Sequence, residues 1–334
     1  MTATMQAMVF DGNVPVLALR RVPIPVPSAG QVRLRVSACG VCRTDLHVID
    51  GELLHPKPQL VPGHEIVGRI DALGPGVTGL AVGDRVGAPW LAHTCGQCRF
   101  CTSGRENLCD APLFHGYTRD GGYAEYVVAD ADYCFAIPDA YDDEHAAPLL
   151  CAGLIGYRTL RKAGDARRIG LYGFGAAAHL VAQIVVAQGR TVYAFTRPGD
   201  RAAQALAIEV GADWAGGSDD RAPSILDAAL IFAPDGALVP TALAAVDKGG
   251  VVVCGGIHMS DIPAFPYRQL WEERRLVSVA NLTREDGRGL MQVANATALR
   301  VHTTPYPLEA ANAALDDFRS GRLTGAAVLR IAPA

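Results

Sequence analysis

The fold of this chain is decided by one short stretch, residues 168–179, which reads RIGLYGFGAAAH. Within it, Gly173, Gly175 and Ala178 form a turn of small residues between an apolar strand and a helical pattern. The missing side chains permit a tight turn and let a pyrophosphate approach the helix N-terminus. A lone G-x-G-x-x-A run is weak, because small residues also serve helix packing. The preceding strand, the following helix and a second strand ending near Thr196 make it a strong indication of a dinucleotide site.

Downstream of this turn, apolar strands alternate with helical stretches. We predict strands at 169–172, 191–195, 228–232, 251–254 and 276–280, and helices at 176–188, 201–210 and 237–246. Such alternation indicates a parallel, doubly wound sheet with right-handed crossovers. This part of the chain is therefore predicted to be an α/β domain.

The first 150 residues follow a different pattern, with frequent Gly and Pro between short alternating segments. That pattern is typical of an antiparallel, partly barrel-like β unit. The last part, with a helical 308–318 and a strand-like 326–331, returns to it. A length of 334 residues also favours two domains.

Composition and charge exclude several classes of partner. The 30 Lys and Arg are opposed by 34 Asp and Glu, for a net charge of -4, and five like charges never occur in a row. We therefore expect neither a nucleic-acid nor an anionic-membrane partner. Residues 1–10 do not resemble an export signal, and later apolar runs are too short to span a bilayer. We expect a cytoplasmic protein.

Four of the nine cysteines crowd into one segment, CGQCRFCTSGRENLC at 95–109, which we call the cysteine lobe. Its cysteines are Cys95, Cys98, Cys101 and Cys109. The spacing C-x2-C-x2-C-x7-C predicts a closed tetrahedral shell around a structural Zn²⁺. Four reduced surface thiols or an iron–sulfur cluster are the alternatives. A nucleic-acid zinc ribbon is disfavoured, because acidic residues balance the two arginines of this region.

Three further candidate ligands lie far apart in sequence: Cys42, His64 and Cys151. Two thiolates and one imidazole would leave a fourth zinc position open for water or substrate, which is the arrangement of a catalytic site. Each residue also has an ordinary interpretation. Cys151 lies in an apolar run typical of a core, His64 could satisfy a turn, and Cys39 with Cys42 could form a C-x-x-C redox pair.

The order of the motifs carries a family resemblance. The runs GVCRTDLH (40–47), VPGHEIVG (61–68) and GDRVGAPW (83–90) occur with the cysteine lobe and the dinucleotide turn. In this the chain resembles zinc-dependent medium-chain alcohol dehydrogenases over essentially its whole length. The resemblance selects Cys42 rather than Cys39 as a ligand. It also implies a GroES-like catalytic domain (1–152 and 285–334) around an inserted Rossmann cofactor domain (153–284).

The resemblance also assigns roles near these ligands. Thr44 is expected to take the proton of the substrate alcohol, and His47 to be the terminal acceptor, reached through the cofactor ribose. A surface threonine and histidine are the alternative. Asp45 and Glu65 adjoin the ligands and are expected to orient the imidazole or the metal, so we group Glu65 with the catalytic residues. Arg43 would contact the cofactor pyrophosphate.

We expect reversible oxidation of primary, and also secondary or aryl, alcohols to aldehydes or ketones, with two Zn²⁺ per subunit of a homodimer or homotetramer. Leu53, Trp90 and Leu113 are implied to line the substrate pocket, although they could be core residues, and Leu53 suggests substrates longer than ethanol. A polyol or amino-alcohol dehydrogenase is the alternative within the superfamily. A zinc- and cofactor-binding protein without turnover is the alternative from another class.

The residues after the second strand of the cofactor domain bear on the choice of cofactor. NAD-binding domains place an acidic residue there for the adenosine ribose, and that charge would repel the 2′-phosphate of NADP. This chain has Thr196, followed by Arg197 and, one turn later, Arg201. We therefore expect NADP(H) to be favoured over NAD(H), the alternative being an arginine that only faces solvent.

Overall fold

A computed structural model of the chain describes residues 3–12, 14–53, 56–323 and 325–331. It divides into two compact units. The first unit comprises residues 1–151 and 281–334, and the second comprises 152–280.

The first unit consists mainly of β-strands. Up to residue 151 its strands are β1 (Thr4–Val9), β2 (Ala18–Pro23), β3 (Gln31–Val41), β4 (Glu65–Leu73), β5 (Arg85–Ala88), β6 (Leu91–His93), β7 (Leu113–Phe114), β8 (Tyr126–Asp130) and β9 (Phe135–Ala136). Two short helices, α1 (Arg43–Ile49) and α2 (Asp143–Ala146), accompany them. The predicted antiparallel arrangement is confirmed where β3 pairs with β4 and β8.

The second unit alternates helices and strands. They are α3 (Ala152–Lys162), β10 (Arg168–Tyr172), α4 (Ala176–Ala187), β11 (Thr191–Thr196), α5 (Arg201–Glu209), β12 (Trp214–Gly217), β13 (Leu226–Ile231), α6 (Leu238–Ala245), β14 (Val246–Cys254) and β15 (Arg275–Ser278). The strands form one parallel sheet in the order β12-β11-β10-β13-β14-β15. Its central strands are apolar and buried, as strands covered on both faces must be. The predicted doubly wound parallel sheet is confirmed.

The chain then returns to the first unit with α7 (Arg284–Thr297), β16 (Thr303–Pro307), α8 (Ala311–Arg319) and β17 (Ala326–Arg330). Strands β16 and β17 complete a seven-stranded sheet in the order β16-β17-β3-β4-β5-β9, with β8 also paired to β3. β17 runs antiparallel to Ala38–Val41, the end of β3 that leads into Cys42. The predicted helix 308–318 begins at Ala311 instead, because Leu308–Ala310 form a 3₁₀ turn.

None of the helices within the described ranges is both long enough and apolar enough to cross a bilayer.

Candidate active site

Four side chains from separate parts of the first unit converge on one point. Cys42 precedes α1, His64 and Glu65 lie where β4 begins, and Cys151 ends this part of the unit. Their potential ligand atoms all lie within 4.8 Å of one another. The Sγ atoms of Cys42 and Cys151 are 3.4 Å apart. The structure thus brings together the three ligands predicted from the sequence, and adds Glu65 to them.

His64 is held by a buried carboxylate. Its Nδ1 lies 3.1 Å from Oδ1 of Asp45, which leaves Nε2 free for a metal. Oδ2 of Asp45 accepts hydrogen bonds from the backbone N–H of Cys42, at 2.8 Å, and from the hydroxyl of Tyr123, at 3.3 Å. Burial alone would lower the pKa of His64, but the Asp45 charge raises it well above its usual range. Asp45 therefore fixes the orientation of one ligand and the backbone of another.

Glu65 presents an unusual buried oxygen. Within the described part of the chain, its Oε2 has no hydrogen-bond partner, and its burial raises the pKa of the carboxyl well above the usual value. A Cβ atom on Gly40 would lie 1.8 Å from that oxygen, so glycine there makes room for the carboxyl group. An orphaned carboxylate oxygen beside two thiols and an imidazole is a donor set that fits a divalent cation.

Helix α1 carries the two predicted proton-relay residues, Thr44 and His47. Thr44 and His47 are three positions apart, so they share one face of the helix. Oγ1 of Thr44 lies 3.8 Å from Sγ of Cys42. Nδ1 of His47, a buried residue, contacts the Glu52 carboxylate. Thr44 is therefore positioned beside the ligand cluster, whereas the part of His47 in a relay stays a prediction.

Arg43 begins helix α1 and is exposed. Its guanidinium lies over the ring of Phe318, 5.5 Å from the ring centroid. The prediction that Arg43 contacts a pyrophosphate stays a prediction.

The cysteine lobe gathers its four sulfurs as predicted. The ligand atoms of Cys95, Cys98, Cys101 and Cys109 lie within 4.8 Å of one another. Backbone N–H groups point at the sulfurs: that of Cys95 at Cys109, at 3.3 Å, and that of Cys98 at Cys95, at 3.4 Å. N–H groups of Cys101 and Asp110 lower the pKa of Cys98 to about 6. Such stabilisation of thiolates is what a closed zinc site requires.

In the second unit, the dinucleotide turn lies between β10 and α4. Gly173 has φ +85°, and a Cβ there would lie 2.8 Å from the Ala233 nitrogen. Gly175 caps α4, and a Cβ on it would meet only open space. Ala178 is buried. Gly173 is thus required by the backbone, whereas Gly175 leaves the end of α4 accessible.

Comparisons with known proteins agree with this geometry. Residues 28–139 match the family model described as the alcohol dehydrogenase GroES-like domain. The chain is 46% identical to a probable alcohol dehydrogenase, AdhA, of Mycobacterium tuberculosis, over 93% of this chain and 91% of that protein. The chain belongs to the zinc-dependent medium-chain alcohol dehydrogenases. It is therefore an oxidoreductase that acts on alcohols, and neither alternative from the sequence analysis is favoured.

Solved structures of alcohol dehydrogenases and reductases share the fold. A cobalt- and zinc-bound thermostable alcohol dehydrogenase from Pyrobaculum aerophilum superposes with a TM-score of 0.87 and 25% identity, over 98% of this chain and 100% of that one. An acetophenone reductase from Geotrichum candidum, in complex with NAD, has a TM-score of 0.87 and 27% identity, over 99% and 98%. Zinc and a nicotinamide cofactor are the groups that this dehydrogenase family uses.

An aromatic stack borders the ligand cluster of this alcohol dehydrogenase. The Trp90 ring meets His64 edge-on at 5.1 Å between centroids. Phe114 and Tyr117 stack on Trp90 at 5.0 Å and 5.8 Å. Trp90 was predicted from the sequence, whereas Phe114 and Tyr117 were not, although the aromatic residues that follow Leu113 could have indicated them. We call Trp90, Phe114 and Tyr117 the aromatic stack.

The other two predicted pocket residues, Leu53 and Leu113, belong to the first unit. Leu113 belongs to β7 and is aligned with His93 of β6. The backbone N–H of Leu53 donates to the carbonyl of His47 at 3.1 Å. Both side chains are half-buried, and their role in a pocket stays a prediction.

Two predicted cofactor residues at the end of β11 in the dehydrogenase, Thr196 and Arg197, have different surroundings. The Thr196 hydroxyl is buried, where it faces the Gly216 carbonyl at 3.2 Å and accepts from the Gln204 amide at 3.1 Å. The Arg197 side chain is 91% exposed and lies 3.8 Å from Asp200. Thr196 thus stabilises the end of the strand through internal hydrogen bonds, whereas the Arg197 guanidinium is exposed to solvent.

Proposed function

We propose that this alcohol dehydrogenase holds a catalytic Zn²⁺ through Cys42, His64 and Cys151, and a second, structural Zn²⁺ through the cysteine lobe. The convergence of the three ligands, with the orphaned Glu65 oxygen beside them, carries the proposal. When bound, zinc would supply Lewis-acid polarisation of the alcohol oxygen, and a nicotinamide cofactor would supply the hydride acceptor. We assign the catalytic domain to residues 1–152 and 285–334 and the cofactor domain to 153–284.

The residues of α1 move the proton. Thr44 accepts the proton of the substrate hydroxyl on its Oγ1 and passes its own hydroxyl proton onward, and His47 is the terminal acceptor of that proton. The Glu52 carboxylate contacts Nδ1 of His47 and so fixes the orientation of its imidazole ring. Because the Glu52 side chain is 52% exposed, the proton has a route to water. Glu65 adjoins the metal ligands and stabilises their arrangement.

Cofactor binding uses the glycine turn of the second unit and two exposed arginines, Arg43 and Arg197. Gly173, Gly175 and Ala178 let the pyrophosphate reach the end of α4, and the exposed guanidinium of Arg43 pairs with it. NADP(H) is favoured over NAD(H), because Arg197 is exposed and no acidic residue ends β11. A cleft of about 310 Å³ follows Arg197, and Pro198 and the acidic residues Asp219 and Asp220 are among the residues that line it. The negative charges of Asp219 and Asp220 oppose the binding of a 2′-phosphate. The preference for NADP(H) therefore depends on the positive charge of Arg197.

The substrates are primary alcohols larger than ethanol, including aryl ones, and secondary alcohols are accepted. The aromatic stack beside His64 supports this, because it offers a flat apolar surface next to the metal ligands. Leu53 and Leu113 complete the pocket. Each additional buried CH₂ contributes about 0.8 kcal/mol, which corresponds to roughly a fourfold gain in kcat/KM.

The enzyme is a cytoplasmic homodimer or homotetramer. β15 is an edge strand of the parallel sheet, and the segment before it exposes Tyr267 and Trp271. An open strand edge beside exposed aromatic rings is suited to pairing with a second copy. Light scattering on the purified protein measures the assembly.

The test of this function is a panel of alcohols from ethanol to octanol, with benzyl alcohol, each assayed with NADP⁺ and NAD⁺ by absorbance of the reduced cofactor. We expect turnover that rises with chain length and is abolished in Cys151→Ser. Cys134→Ser is the matched control, because that thiol lies outside both cysteine clusters. Wild-type protein without NAD(P)-dependent turnover, or Cys151→Ser with most of its activity, would contradict the proposal.

A further inference from the structure

Tyr123 contacts residues next to the metal-ligand cluster, although it belongs to none of the sequence motifs that contain the ligands. It precedes β8 and is fully buried. Its backbone N–H donates to the carbonyl of Pro62 at 3.0 Å, and its own carbonyl accepts from the N–H of Met8 at 2.9 Å. The backbone of Tyr123 is therefore held on both sides, and its side chain has a defined position.

The ring of Tyr123 fits against the residue that precedes His64. Gly63 has φ +96°, and a Cβ atom there would lie 2.3 Å from Cδ1 of Tyr123. The ring occupies the space that any side chain at position 63 would need. It thus contacts the backbone from which the imidazole of His64 extends.

The hydroxyl of Tyr123 reaches the carboxylate that orients the same imidazole. It donates to Oδ2 of Asp45 at 3.3 Å, while Oδ1 of Asp45 faces Nδ1 of His64 at 3.1 Å. Asp45 is 1% exposed, so its carboxylate oxygens are satisfied by protein donors rather than by water. Removal of one donor leaves this buried carboxylate with fewer partners and more freedom to turn away from His64.

We propose that Tyr123 is a positioning residue for the zinc site: through its hydroxyl and Asp45 it holds His64 in the orientation that binds the metal. This inference rests on the zinc site proposed above. It differs from a plain core role, in which the hydroxyl would affect stability alone.

Tyr141 provides the matched control. It is a buried tyrosine of the same unit, and its hydroxyl donates to the carbonyl of Ala294 at 3.1 Å and accepts from the N–H of Leu299 at 2.6 Å. Tyr141→Phe removes a buried hydroxyl without touching the ligand cluster. Tyr123→Phe removes one that bonds Asp45 and keeps the ring against Gly63.

The experiment measures zinc affinity of the full-length protein by competition with a chelator, the absorption spectrum after replacement of zinc by Co²⁺, the melting temperature, and kcat and KM. We expect Tyr123→Phe to weaken zinc binding at one of the two sites by about 3- to 30-fold, somewhat less than is typical for a direct partner of a ligand, and to alter the Co²⁺ spectrum. We expect Tyr141→Phe to lower the melting temperature while zinc affinity and spectrum stay as in the wild type.

Asp45→Asn supplies the second arm. It should weaken zinc binding more than Tyr123→Phe does, and adding Tyr123→Phe to it should have little further effect, because both act through one contact. Unchanged zinc affinity and Co²⁺ spectrum in Tyr123→Phe, or an undiminished effect in the Asp45→Asn background, would overturn the inference. Failure of the zinc site itself is recognised separately, since Cys151→Ser would then retain the wild-type zinc content.

Discussion

Arg284 connects the start of α7 to the cysteine lobe, and its removal should destabilise the first unit. Its Nη2 lies 2.6 Å and its Nε 3.0 Å from Oε2 of Glu106. Its backbone N–H donates to Oε1 of the same carboxylate at 2.7 Å. The guanidinium also stacks over Tyr133, 5.2 Å from the ring centroid, and contacts Asp132. The perturbation is Arg284→Met, which keeps an aliphatic chain of similar length.

The magnitude follows from burial. The Glu106 side chain is only 10% exposed, so the substitution leaves a buried carboxylate with the single backbone donor of residue 284. Loss of one partner of a buried pair costs about 3–5 kcal/mol. Because the Arg284 side chain is 31% exposed, water replaces part of the lost contact, and we expect about 2–3 kcal/mol. That free energy corresponds to a fall in Tm of roughly 5–10 °C.

The pH dependence of the Tm difference tests whether the charge of Glu106 causes the destabilisation. Burial alone would raise the pKa of Glu106, but the hydrogen bonds from Arg284 hold it below its usual value of 4.5. A lowered folded-state pKa means that the stabilisation is present above the unfolded pKa and is lost as pH falls through the folded value. The Tm difference between wild type and Arg284→Met should therefore be full at neutral pH and shrink below about pH 4.5.

Differential scanning calorimetry across this pH range is the assay, with Arg330→Met as the control. Arg330 pairs with Glu144 but is 57% exposed, so its removal should cost less than about 1 kcal/mol. A Tm for Arg284→Met within about 1 °C of wild type at pH 7, or a loss equal to that of Arg330→Met, would contradict a stabilising role of the pair between Arg284 and Glu106.

Three further expectations concern the metal and cofactor sites. Cys98→Ser should lower Tm and reduce the zinc content from two ions to one, since a structural site couples metal binding to folding; unchanged zinc and Tm would exclude the closed site. Arg197→Ala should lower kcat/KM for NADPH by about ten- to hundredfold with little change for NADH, and equal losses would exclude a 2′-phosphate contact. Gly173→Ala should lower the Tm of the cofactor-free protein, because its φ of +85° and the 2.8 Å approach to Ala233 leave no room for a methyl group; an unchanged Tm would contradict this.

The sequence predicted those parts of the fold whose signal is local. The strands of the parallel sheet are recognisable in the sequence as apolar runs, because they are buried on both faces. β12 was missed because Trp214–Gly217 is a short segment ending in two glycines and has no β-branched residue. Helix α1 was missed as well, since its seven residues are too few to show a helical period.

The candidate site was only partly accessible from the sequence. Spacing could not choose between Cys39 and Cys42. In the structure Cys39 is fully buried, with its sulfur facing the space above Gly63 and Gly122, whereas Cys42 lies 3.4 Å from Cys151. Contacts that depend on tertiary packing, such as that between Tyr123 and Asp45, 78 positions apart, leave no mark in local periodicity.

The return of the chain to its first sheet has a consequence for biosynthesis. β17 borders Ala38–Val41, the residues that lead into Cys42, yet it is made after nearly three hundred intervening residues. Until β17 has been synthesised, Ala38–Val41 of β3, beside Cys42, lack the strand that pairs with them. The continuous second unit can fold as it emerges, whereas the first must wait for its last strand. A nascent chain that stops before β17 would therefore keep its early cysteines beside an incomplete sheet, so the assembly of the ligand cluster depends on the synthesis of β17.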